Sequence, residues 1–119
     1  MTFQSPAQQQ PLTVEAGRQV ARLRSVRALV GELAGWHGAE DGEAVLDEAA
    51  RFSSAYVVAQ PITQRRFDAL AAEASSWAAT AVEALVAHAD AAEPPRAAAA
   101  VLARELDRTF GDLGRILRL

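Results

Sequence analysis

The chain contains no cysteine, no lysine and no asparagine, and it has a single tyrosine and two isoleucines. Without cysteine there is no disulfide framework, no thiolate zinc site and no cysteine nucleophile. The scarcity of Ile, Tyr and Thr argues against a sheet, because strands draw on β-branched and aromatic residues. Proline and glycine are sparse, at 5 and 7 residues, so few positions can interrupt a helix. No window reaches the ~18 uninterrupted apolar residues of a membrane-spanning helix. The most apolar stretch, residues 69–92, owes its hydrophobicity to alanine and is broken by Glu73, Glu83 and Asp90. Residues 1–12 carry no charged side chain and no apolar run of signal-peptide length. No secretory leader is expected there, and the cytoplasm is the expected location.

What the chain does have is alanine, at 28 of its 119 residues. That length suits one domain and suffices to bury a core without a metal or cross-link. Alanine is the best helix former, so an all-α fold is expected. All 12 basic residues are arginine, which together with the alanine excess suggests a GC-rich, bacterial genome. An arginine at a given position is therefore not by itself a sign that a planar phosphate clamp was needed there. The net charge of −3 and a pI near 5.3 argue against a domain built mainly to hold nucleic acid.

Hydrophobic periodicity predicts four helices. Residues 1–12, rich in Gln and Pro, read as a disordered tail with Phe3 as its one side chain able to dock. The first helix is expected from Thr13 as N-cap, with Glu15 in the first turn. It carries the stripe Val20, Leu23, Val26, Val30 and Leu33, and it frays through Gly31 and Gly35 towards Gly38. A connection at 38–42 leads to a second helix capped by Asp41, with the stripe Val45, Ala49, Phe52, Tyr56 and Ala59. Asp47, Glu48 and Arg51 fall off that stripe and are expected in solvent. Gln60-Pro61 ends this helix and starts the next, and the short link favours an antiparallel hairpin over a kinked rod. The third helix is the longest, over 62–91, and its stripe is Phe67, Leu70, Ala74, Trp77, Ala81, Leu85 and His88. Glu93-Pro94-Pro95 restarts the chain into a fourth helix, 96–118, whose stripe is Ala99, Leu102, Leu106, Phe110, Leu113 and Leu117. The expected architecture is an antiparallel four-helix bundle over 13–119 with a flexible N-terminal tail.

A search for chemistry finds none. A di-iron bundle needs Glu-x-x-His pairs, but Ala34 and Leu85 stand three residues before His37 and His88. Ser53-Ser54 and Ser75-Ser76 lie within helices and lack the flanking glycines of a nucleophile elbow. The GAEDG run at 38–42 has no lysine, and its acids would repel phosphate. His88 reads as a buried or half-buried structural residue and His37 as a helix-end cap. Neither has the lysine and glycine that follow a phospho-accepting histidine. The expectation is a protein with no catalytic residue, no cofactor and no metal.

Arg18, Arg22, Arg24 and Arg27 make the first helix basic, but they flank its apolar stripe rather than forming one face. Residues 1–38 and 94–119 are net basic and residues 39–93 net acidic, which neutralisation within the bundle explains. Helices this long also do not suit a helix-turn-helix reader. The remaining feature is apolar surplus. A third helix of about 45 Å outruns a second of about 27 Å, which leaves Trp77, Val82, Leu85 and Val86 as the candidate interface. The sequence therefore points to a non-enzymatic protein that works by protein–protein contact, in a regulatory or scaffold role, first of all as a homodimer. The alternatives are a DNA-associated transcriptional regulator and a bundle that binds a small apolar ligand.

Overall fold

The computed structural model describes residues 14–36, 42–88 and 95–119. They form four helices and no strand: α1 (Glu15–Leu33), α2 (Gly42–Val57), α3 (Pro61–His88) and α4 (Arg96–Ile116). The all-α class and the four-helix order are those expected from the periodicity. The proposed tail at 1–12, the caps Thr13 and Asp41, most of the first connection, and residues 89–94 lie outside the described residues.

α1 is central, packing against α2, α4 and α3, and α3 packs against α4. Side-chain partners run in opposite chain order between α1 and α2 and between α1 and α4. Val14 meets Ser53 at one end of α1–α2, while Arg24 meets Glu48 further along. Arg27 meets Asp107 and Arg24 lies over Phe110 between α1 and α4. Reversed order is what antiparallel neighbours require. The core is one cluster in which α1 gives Val20, Leu23 and Val30, α2 gives Phe52 and α3 gives Phe67 and Leu85. From α4 come Leu102, Leu106, Phe110 and Leu113.

Alanine sets the seam of α3. Ala71, Ala74 and Ala78 are fully enclosed, whereas the larger Leu70 and Trp77 sit at the margins. Phe67, Ala74 and Leu85 of the expected stripe are buried, with Ala71 and Ala78 in place of Leu70 and Trp77. Small side chains at the centre of the seam let helices approach, and bulky ones then close the flanks.

The helix ends follow their local chemistry. α1 closes with Gly35 at φ +80°. There the Trp36 and Gly35 amides donate to the carbonyls of Gly31 and Glu32, both at 2.9 Å. Only an achiral residue takes that left-handed turn without cost. α4 closes in the same way, but with Arg118 at φ 61°. Its Leu119 and Arg118 amides reach the Gly114 and Arg115 carbonyls at 2.7 and 3.1 Å.

The chain turns sharply between α2 and α3. Tyr56 and Phe52 lie 5.6 and 6.1 Å from Phe67, ring centre to ring centre. The Gln64 amide donates to the Tyr56 carbonyl at 2.8 Å, and the Tyr56 hydroxyl donates to Asp68 at 2.9 Å. Burial, and then the Asp68 carboxylate, push the Tyr56 phenol above its ordinary pKa. Beyond this corner α3 leaves α2 and packs on α1 and α4.

Candidate functional site

The first-helix arginines are paired with carboxylates, Arg24 and Arg27 across the bundle and Arg18 and Arg22 within α1. Arg24 makes a bidentate pair with Glu48, at 2.8 and 2.9 Å, and its guanidinium lies 3.7 Å above the Phe110 ring. Arg27 pairs with Asp107 at 2.9 and 3.1 Å and reaches the Trp36 ring at 5.0 Å. Arg104 approaches the same indole at 5.7 Å. Arg18 and Arg22 both hold Glu15, at 3.2 and 2.7 Å. Those two guanidiniums, Arg22 first, hold the Glu15 carboxyl below its ordinary range. Glu48, expected in solvent, is therefore mostly covered, because it is the acid that compensates a half-buried arginine.

A second feature of α1 was not visible in the sequence. Gly17 is buried against α2. A β-carbon there would sit on Ser53 Oγ and 2.6 Å from the Ala49 carbonyl oxygen. Ser53 is fully buried, and its hydroxyl accepts the Val14 amide at 3.2 Å, where α1 begins. α1 is thus capped by a neighbouring helix, because Val14 itself offers no side-chain acceptor. The only advance sign was a serine one turn from Ala49 on the α2 stripe.

Candidate chemistry stays dispersed. His88 is exposed at the end of α3, which corrects the buried reading. The helix ends there, beyond Leu85, its last core residue. His37 lies outside the described residues. Among the described residues no three metal-ligating side chains come together, and no helix is long and apolar enough to cross a membrane.

The four candidate interface residues do not share one surface. Leu85 belongs to the core at 6% exposure, Trp77 and Val82 are half-buried against it, and Val86 alone is open to solvent. At about 100° per residue, Trp77 and Val86 lie on opposite flanks of α3. Trp77 faces α4 and lines a shallow groove of about 440 Å³ with Ala81, Ala98, Val101 and Leu102. α1 and α4 both pack against α3, and Leu85 lies in the core that they share.

Exposed large apolar side chains occur on several helices, among them Ile62, Val86 and Val101, and the two most exposed, Leu46 and Val58, lie on or just past α2. Only Ala49, Phe52 and Ser53 of its 16 residues are buried. Leu46 and Val57 are 69% and 51% exposed, and Val58, just past the helix, is 81% exposed. Ala50, Ser54 and Ala55 line a shallow depression of about 460 Å³ with Arg51 and Leu119. No family model, curated protein or solved structure matches this chain.

Proposed function

We propose that the chain is a non-enzymatic cytoplasmic helical module that acts through protein–protein contact, in a regulatory or scaffold role, with a second copy of itself as its first partner. One observation carries this reading. α2 is an amphipathic helix covered along its length on one side only, and it presents Leu46, Val57 and Val58 outward. Large exposed apolar side chains along a helix with one covered side can mark an interaction surface, and twofold pairing is the commonest way to cover one.

The nucleic-acid alternative has less behind it, because Arg18, Arg22, Arg24 and Arg27 are each held by a carboxylate. Removing them to phosphates would strand Glu15, Glu48 and Asp107. Light scattering on the full chain, from low to hundreds of micromolar, tests the proposal. A dimer is expected by tens of micromolar, and a strict monomer throughout overturns it. Duplex binding that weakens steeply with salt would move the function to the DNA alternative.

A further inference from the structure

The solvent face of α2 is complementary to itself. At about 100° per residue, Leu46, Ala50, Ser54 and Val57 fall on one side of the helix, and Asp47 and Arg51 share one edge of that side. Ser53, buried against Gly17 of α1, borders this side next to Leu46, and Ala50 and Ser54 are half-buried on it. Asp47 and Arg51 are exposed, and neither has an ion-pair partner among the described residues. The acid stands one turn N-terminal to the base. A second α2 laid parallel would set acid beside acid and base beside base. Laid antiparallel, it sets each Asp47 beside the Arg51 of the other copy, in two equivalent pairs, and opposes the two helix dipoles.

We infer that α2 is the pairing surface of this protein and that its occupant is the α2 of a second copy, antiparallel about a twofold axis near Ala50. This rests on the homodimer reading above and specifies its surface and direction. Ala50 and Ser54, the small residues at the centre, allow the helices to approach, while Leu46 and Val57 close the two ends. A helix of 16 residues is about 24 Å long. The contact therefore belongs to the small class of interfaces, as a reversible micromolar dimer requires.

The chain has no cysteine, so single-cysteine variants of the full protein report proximity directly. Under mild oxidation Ala50→Cys is expected to cross-link, because its two copies meet at the axis. Glu43→Cys and Val57→Cys are each expected to stay uncross-linked alone and to link when mixed. In sedimentation, Asp47→Arg or Arg51→Asp should weaken the dimer about tenfold, and the double swap should restore it to within about threefold. Leu46→Glu, at an exposed position, should leave the circular dichroism spectrum unchanged and the protein monomeric. Cross-linking at all three positions alone, or charge swaps without effect or without rescue, overturns the antiparallel α2 pair. A dimer that survives those swaps keeps the homodimer reading on another surface. A wild-type chain that stays monomeric overturns both.

Discussion

α2 and α4 are both amphipathic helices, yet the fold treats them differently. α4 lies between α1 and α3 and buries eight of its 21 residues, among them Leu102, Leu106, Phe110 and Leu113. α2 buries three of 16, and two of those are Ala49 and Ser53. A helix flanked on two sides can sink large side chains into a shared core. A helix with one neighbour along its length holds on through close backbone approach, here Gly17 against Ala49 and Ser53. The bundle is thus a well-packed trio of α1, α3 and α4 with a fourth helix seated on α1. An amphipathic stripe marks which side of a helix faces protein, but not how many helices will cover it.

That contrast is open to attack, starting with the core of α4. Leu106→Ala removes a fully enclosed side chain and should cost about 2–5 kcal/mol. Leu46→Ala on α2 should stay within about 0.5 kcal/mol when unfolding is measured in urea at concentrations where the protein is monomeric. Equal losses at the two sites would erase the distinction between the helices.

Next in size is the α1–α2 seam. Gly17→Ala drives a methyl into the Ala49 carbonyl and the Ser53 hydroxyl. The α2 backbone cannot swing aside as a flexible side-chain tip could. A loss of about 1–3 kcal/mol is expected, together with faster amide exchange in α2 than in α4. Exchange that rises equally in both helices would mean that α2 is no more separable than α4.

A smaller effect, of opposite sign, is expected where α4 ends. Arg118 occupies the left-handed position that glycine fills at Gly35. Arg118→Gly should therefore stabilise the chain by about 0.5–1 kcal/mol, read as a higher urea midpoint.

The smallest effect concerns acid. Arg22 and then Arg18 lower the Glu15 carboxyl below its ordinary value of 4.5. A lowered folded-state value stabilises the fold above the unfolded value, and that contribution is lost as pH falls through the folded one. The urea midpoint should decline below about pH 4.5, and Glu15→Gln should make that decline shallower. An unchanged acid limb in Glu15→Gln would show that these surface pairs contribute nothing.

The helices themselves were legible from local pattern. Gln60-Pro61 and Glu93-Pro94-Pro95 bracket α3, and the apolar steps of α4 from Ala99 to Leu117 are its buried positions. Both signals belong to single segments, so no knowledge of neighbours was needed. The candidate site was not legible in the same way. Trp77, Val82, Leu85 and Val86 were selected from helix lengths, because α3 outruns α2, and lengths do not say how α1 and α4 lie against α3. Leu85 is covered, and Leu46, Val57 and Val58 are left open.

Composition and periodicity by themselves determined the all-α class, the four helices and their breaks, because alanine content, proline positions and apolar spacing act within a turn or two of the chain. Only the tertiary structure decided which helices are neighbours. It made alanine rather than Leu70 and Trp77 the centre of the α3 seam, gave α1 a cap from Ser53, and set Arg24 and Arg27 against Glu48 and Asp107. Each of these depends on two segments far apart in sequence meeting at a set distance. That distance is fixed by small residues such as Gly17, which leave almost no trace in a hydrophobic pattern.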